Sequence, residues 1–211
     1  MLLPLLAAVS AAIALHTVAC AFAGAGAGAR VLELRLGVGP LITLHSDPLV
    51  RVGIVPLGGW VQFDGAVASP DGEALPDGAF LALRPETQAL VHLAGPVAVL
   101  TLASALLGPT AALACAWHAP AALVDALHPT AMRALLDSLP AMDSNTLLGR
   151  TIAAIGAFNL IPLPTLAGGQ ALLAALRVPA GLRLALAIPS VLLSVGVAGG
   201  LVVSLLRALA A

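Results

Sequence analysis

The stretch "NLIPLPTLAGGQALL", residues 159–173, is mostly apolar, yet it cannot form one continuous helix. Pro162 and Pro164 lack the backbone N–H that a helix interior requires, and the Gly-Gly pair at 168–169 weakens a helix further. The stretch lies inside a longer apolar segment, residues 151–176, and a bilayer is crossed by about 20 apolar residues. The sequence therefore predicts a membrane span with a broken middle.

The composition of the whole chain agrees with a membrane location. Of its 211 residues, 60% are hydrophobic and only 9% are charged, whereas a soluble domain carries about 25% charged residues. We therefore expect an integral membrane protein whose surroundings are the lipid bilayer. A net charge of −1 and the lack of a basic patch argue against nucleic-acid binding.

Three further apolar runs predict membrane spans over residues 2–29, 89–117 and 184–206. The first carries no charged side chain; it lacks the basic start of a signal peptide and is too long for one. With residues 151–176 these runs predict an all-α polytopic protein with about four transmembrane helices. No remaining segment is long enough for a separate soluble domain, so we expect one membrane domain over residues 1–211.

The arginines predict the orientation. Cytoplasmic loops carry an excess of basic residues, and an outside N-terminus places six arginines inside and three outside. This favours N- and C-termini outside, in a bacterial inner membrane. The inner set is Arg30, Arg35, Arg51, Arg84, Arg177 and Arg183, and the outer set is Arg133, Arg150 and Arg207.

The loops after the first and second spans have patterns of their own. Residues 31–63 begin with a period-two alternation and continue with many Gly and Pro, which predicts short strands and turns against the membrane. Residues 64–87 are acidic and predict an exposed loop. An amphipathic pattern over residues 121–139 predicts a segment at the membrane interface.

A histidine inside the first apolar run, in "ALHTVAC", raises the possibility of a metal site. His16 and Cys20 are four residues apart and project from one face of a helix, so both could contact one metal ion. Catalytic zinc needs three protein ligands and an open position for water, and a third ligand would have to come from elsewhere. The alternatives are an intramembrane histidine that is hydrogen-bonded to a neighbouring helix and a small buried cysteine.

Four segments, in order along the chain, resemble the site-2 proteases, a family of intramembrane zinc metalloproteases. Residues 14–40 resemble that family's first helix, which carries H-E-x-x-H, and its following strand. "VRVGIVPLGGWVQF" resembles its membrane-associated β-hairpin, "RPETQALVHLAGPVAVL" the entry to its second helix, and "NLIPLPTLAGG" its N-x-x-P-x-P-x-L-D-G-G segment. The resemblance implies the site-2 protease fold over nearly the whole chain.

The departures from the family pattern fall on the chemistry. The resemblance places His16 at the first zinc ligand, but Thr17 replaces the glutamate base, Cys20 the second histidine and Ala167 the aspartate ligand. At most His16 and Cys20 remain as metal ligands, and a two-ligand site without a base is not expected to hydrolyse peptides. We therefore expect no catalytic residues and no bound cofactor.

The resemblance then favours a catalytically inactive relative, a pseudoprotease that binds or regulates another membrane protein through a transmembrane helix. In the family the hairpin offers a strand edge to substrate, and the proline-broken region lines the cleft. The alternative is that the hairpin packs the bundle and that the prolines form a structural kink. The candidate binding residues are Pro56, Leu57, Gly58, Gly59, Trp60, Asn159, Pro162 and Pro164.

Two other functions stay open at this point. One is an active intramembrane zinc metalloprotease with non-standard ligands, namely His16, Cys20 and an unidentified third group. The other is a transporter or channel subunit, against which the sequence offers very few ionisable groups inside its apolar runs.

Overall fold

The computed structural model describes residues 2–66 and 75–210. Seven α-helices and one pair of strands account for most of these residues; of two short 3-10 turns, Phe80–Ala82 precedes the second helix and Leu139–Ala141 joins the fourth helix to the fifth. The predicted fold class, a helical membrane protein with a β-hairpin region after the first helix, is confirmed. The elements are α1 (Leu2–Gly26), β1 (Val31–Ser46), β2 (Leu49–Phe63), α2 (Pro85–Leu107), α3 (Pro109–Asp125), α4 (Pro129–Ser138), α5 (Ser144–Leu160), α6 (Ala167–Ala175) and α7 (Ala180–Ala210).

The core of the bundle is built from small side chains where α1, α2, α3 and α5 meet. Its most buried members include Ala8, Ala12, Ala103 and Ala153, each 0% exposed, with Ile152 packed among them. Within a bilayer there is little hydrophobic drive to bring helices together, so small residues that allow close backbone approach supply the packing. This alanine-lined core fixes α1, α2 and α5 relative to one another.

The two strands form a small, irregular sheet beside α1. The first part of β1 lies between two parts of β2, because Leu36 pairs with Val52 on one side and with Gly59 on the other. At the end of β2, the Phe63 ring stacks on Phe80, with 4.9 Å between ring centroids. Both rings are buried, and this contact anchors the sheet to the turn that precedes α2.

Three helices of the described residues are long and apolar enough to cross a membrane: Leu5–Gly26, Pro85–Leu107 and Gly181–Ala210. The predicted span 89–117 differs from the structure, which divides it into α2 and α3 at Gly108. Gly108 has a φ of +82°, a conformation that glycine adopts readily, and the proline after it is suited to the first turn of α3. The apolar run therefore continues through a turn that ends one helix and starts another.

The predicted span 151–176 is two helices in the structure, with the break at the prolines. Helix α5 ends at Leu160 and α6 begins at Ala167, and the turn between them is closed by a Leu166 N–H to Leu163 carbonyl bond of 2.8 Å. The Gln170 side-chain amide donates to the carbonyl of Pro164, so part of the backbone freed by the break is satisfied internally.

Two other predicted segments have different bounds in the structure. Of the predicted loop 64–87, residues 67–74 lie outside the described residues, and Phe80 is buried rather than exposed. The predicted interfacial segment 121–139 combines the end of α3 with α4, and α4 packs on α7 through Met132. The rest of α7 exposes most of its apolar side chains at the surface of the bundle.

Candidate functional site

A cavity of about 490 Å³ lies between α1, β2, α5, α6 and the first turns of α7. Eight of the residues singled out in the sequence line it, although they come from four separate elements. The convergence of these positions makes the cavity the candidate functional site. They are His16, Thr17, Cys20, Gly58, Gly59, Trp60, Asn159 and Ala167.

His16 and Cys20 lie side by side against α2, at a position where that helix has no side chain. A Cβ atom placed on Gly95 would lie 2.6 Å from His16 Nδ1 and 2.8 Å from Cys20 Sγ. The Nδ1 atom is buried and has no hydrogen-bond partner among the described residues, and Cys20 is a free thiol. The absence of a Cβ on Gly95 therefore leaves the space that both side chains occupy against α2.

Thr17 occupies the most confined position of the site. It is 3% exposed, and its hydroxyl donates to the Ile13 carbonyl at 2.7 Å, one turn earlier in α1. A Cβ atom placed on Gly59 would lie 2.8 Å from the same hydroxyl oxygen, so α1 and β2 touch here. A hydroxyl bonded to its own helix has no basicity with which to activate water.

Ala167 is the first residue of α6 and carries no donor atom. Its neighbours in the turn pack tightly, since Cβ atoms on Gly168 and Gly169 would collide with the carbonyls of Leu160 and Leu163. The two glycines therefore preserve the close approach of α6 to the end of α5. At the position where the family pattern has an aspartate, this chain therefore has a tightly packed helix start and an alanine.

Zinc does not fit the donor set that the cavity presents. Catalytic zinc needs three protein ligands, and the positions that the family resemblance assigns to ligands offer one imidazole and one thiol. His92 also lines the cavity, but it is not grouped with them as a third ligand. Among the described residues, no three side chains of His, Cys, Asp or Glu are grouped so as to hold a metal ion. The cavity lining includes no Asp or Glu among the described residues, so the usual proton acceptor is missing as well.

Asn159 lines the cavity from the last turn of α5, where its amide donates to the Ile155 carbonyl at 2.9 Å. The two prolines that follow, Pro162 and Pro164, are not among the lining residues; they form the break that turns the chain from α5 into α6. Pro56 and Leu57 lie within β2, and their side chains are outside the described part of the structure.

The last part of β2 presents a strand edge to the cavity. Residues 59–63 pair with the start of β1 on one side, and residues 58–61 line the cavity. Trp60 is 51% exposed, and the guanidinium carbon of Arg35 lies 4.6 Å from the centroid of its ring. The cation on the aromatic face orients the indole, so this edge carries a large, accessible and ordered side chain.

Sequence reasoning did not identify four polar residues that line the same cavity: His92, Thr165, Gln170 and Arg183. In the sequence analysis Arg183 serves only as a topological signal. Thr165 is held by α7, because its hydroxyl lies 2.8 Å from the Ser190 hydroxyl. His92 and Thr165 lie inside the quoted segments but at positions to which the family pattern assigns no role, and tertiary contacts between distant helices bring all four residues together.

Comparison with known proteins supports the family suggested by the motifs. The family model described as "Peptidase family M50" matches residues 4–203, and a search of curated proteins finds no significant match. The three helices long enough to span a membrane agree with that family. The chain belongs to peptidase family M50, the site-2 protease family, and is a site-2-protease-like integral membrane protein.

Proposed function

We propose that this M50-family protein is catalytically inactive and binds a transmembrane segment of another membrane protein at the cavity and at the adjacent strand edge. The observation that carries the proposal is the donor set of the cavity. The positions of the base and of two zinc ligands converge there as Thr17, Cys20 and Ala167. The family is normally zinc-dependent, so replacement of the base and of two zinc ligands would affect the residues on which its reaction depends.

The chemical argument depends on ligand number and on the base. Losing a metal ligand or a general base typically costs an enzyme orders of magnitude in rate, and here both are replaced. A thiol binds a metal as the thiolate, which an apolar membrane interior disfavours. Cys20 is therefore a poor substitute for the histidine that the family pattern places at its position.

The binding argument depends on backbone geometry, which survives without zinc. An extended or unwound segment can pair with an open strand edge through main-chain hydrogen bonds, which is binding by β-augmentation. Residues 59–63 offer such an edge beside the cavity, and Trp60 offers apolar contact. We infer that these residues, with Asn159 on the opposite wall, contact the partner, and that the protein regulates it by sequestration.

The same proposal includes a cellular location. The arginine distribution supports a bacterial inner membrane with N- and C-termini outside. On this topology the pair α5–α6 counts as one crossing, because α5 alone has 17 residues and a membrane-spanning helix needs about 20.

Metal content and cleavage test the catalytic part of the proposal. We expect purified wild-type protein in detergent to hold far less than one zinc per chain, and to leave a model single-span membrane substrate uncleaved. As a matched positive control, Thr17→Glu with Cys20→His and Ala167→Asp rebuilds the family pattern, and we expect this variant to bind about one zinc. Stoichiometric zinc in the wild type, with cleavage abolished by His16→Ala, would instead establish the alternative, an active metalloprotease with non-standard ligands.

Site-specific photo-crosslinking tests the binding part. A photoreactive phenylalanine analogue at Trp60 is compared with the same analogue at Leu44, which is 66% exposed on β1 and does not line the cavity. The probe is a single-span membrane protein whose transmembrane segment is interrupted by a Pro-Gly pair. We expect cross-links from position 60 and few from position 44; equal yields would contradict binding at the strand edge.

A further inference from the structure

Arg183 is a partly buried cation with no counterion among the described residues. It lies near the start of α7, lines the cavity, and donates from Nε to the Val178 carbonyl at 2.7 Å. The ion pairs among the described residues are Arg51–Glu33 and Arg177–Glu86, so no described carboxylate neutralises Arg183. Removing a charge from water without a partner is costly, and this cost favours an anion from outside the protein.

The cavity around Arg183 is otherwise suited to negative charge. No described Asp or Glu lines it, and Gln170 adds a polar side chain to its wall. Helix α6 begins in the same wall with no acidic residue in its first turn, and the unpaired N–H groups at a helix start favour anions. A cavity that is lined by an arginine and by no described carboxylate suits an anion better than a cation.

An apolar groove adjoins this cavity. It has a volume of about 600 Å³ and lies between α3, α5 and α7. Its lining is aliphatic or aromatic except for Thr165 and Ser194, and it shares Ile155, Thr165 and Leu166 with the cavity. The two spaces therefore adjoin one another along these three residues, and the polar one carries the cation.

We propose that this pair of spaces is a binding site for one anionic phospholipid. Its phosphate contacts Arg183 in the cavity, and an acyl chain lies in the groove between α3, α5 and α7. A molecule with an anionic head joined to a long apolar chain matches both spaces, whereas a free phosphate would use Arg183 alone. The groove borders helices that expose apolar side chains, so the bilayer supplies the ligand directly.

The lipid site uses residues other than those of the strand edge, so it stands independently of the proposed partner binding. An occupied site would still influence the cavity, because the lipid phosphate and a bound partner segment would share its volume. The membrane composition would then affect how readily a partner enters.

Native mass spectrometry of the detergent-purified protein with added phosphatidylglycerol tests the site. We expect the wild type to retain one lipid and Arg183→Gln to bind it about tenfold more weakly, since a hydrogen bond to a charged group is typically worth that much. Arg207→Gln is the matched control, because Arg207 is on the same helix and lines neither space. Its lipid retention should equal that of the wild type.

A second pair of variants tests the groove without changing charge. Ala198→Phe places a ring in the groove and should displace the acyl chain, whereas Leu192→Phe adds a ring at a position on α7 that does not line it. Loss of lipid in Ala198→Phe and its retention in Leu192→Phe are expected. This pair keeps the proposal testable even if Arg183→Gln fails to fold.

Three results would overturn the proposal. The first is equal retention by the wild type, Arg183→Gln and Ala198→Phe. The second is binding of glycerol 3-phosphate as tightly as phosphatidylglycerol, which would indicate a site for free phosphate. The third is binding of the single-span probe protein, but not of lipid, at Arg183, which would assign the cation to the protein partner.

Discussion

Replacing Gly95 with alanine should separate α1 from α2 at the candidate site. The new Cβ would lie 2.6 Å from His16 Nδ1 and 2.8 Å from Cys20 Sγ, whereas ordinary contacts are 3.4–4 Å. Both neighbours belong to one helix face, and both lie too close for the new Cβ to fit without a shift. Over-packing of this kind lowers the free energy of unfolding by about 1–3 kcal/mol. This loss exceeds the roughly 0.5–1 kcal/mol that alanine gains over glycine in a helix interior.

The control for this prediction is Gly199→Ala in α7, where a Cβ would meet nothing within 4 Å. We expect this variant to be as stable as the wild type or slightly more stable, and Gly95→Ala to unfold several degrees lower in a thermal scan in detergent. Adding Cys20→Ala to Gly95→Ala removes one obstructing atom and should restore part of the loss. If Gly95→Ala and Gly199→Ala behave alike, His16 and Cys20 do not pack on Gly95 as described.

Two further substitutions test the starts of helices α2 and α5. Gln88→Ala should destabilise the protein by about 1–3 kcal/mol, because the 5%-exposed Gln88 donates to the Leu83 carbonyl at 2.9 Å; chemical denaturation measures it, and an unchanged midpoint would argue against the bond. Hydrogen bonds from Thr146 hold the pKa of the Asp143 carboxyl, the N-cap of α5, below its usual value. A lowered pKa stabilises the fold above the ordinary aspartate value of about 4 and loses this effect as the pH falls through the lowered pKa. The stability difference between wild type and Asp143→Asn should therefore shrink in acid, and a difference independent of pH would contradict the assignment.

The sequence predicted the parts of this fold that depend on local chemistry. The break after Leu160 was expected because Pro162 and Pro164 cannot continue a helix. The turn at Gly108 was not expected, although a Gly-Pro pair is a turn signal, because apolar residues continue on both sides of it. Hydropathy alone cannot separate one long span from two helices joined inside the same apolar run.

The candidate site was predictable only through its motifs. His16 and Ala167 are about 150 residues apart in the chain, and no spacing rule joins them; the family resemblance did so. Arg183 belongs to no motif, and His92 lies in a quoted segment without a role in the family pattern; the packing of α7 and α2 brings them into the site. Pro162 and Pro164 remain candidate partner contacts, but they lie in the turn between α5 and α6 and do not line the cavity.

The alanine-lined core has a consequence for how such a protein can change. Ala8, Ala12 and Ala103 pack in this core and do not line the cavity, although Ile13, the neighbour of Ala12 on α1, does. Successive residues of a helix project about 100° apart, so one helix can pack the core with one face and line the cavity with another. Substitutions on the cavity face can then accumulate while the core face keeps the helices together.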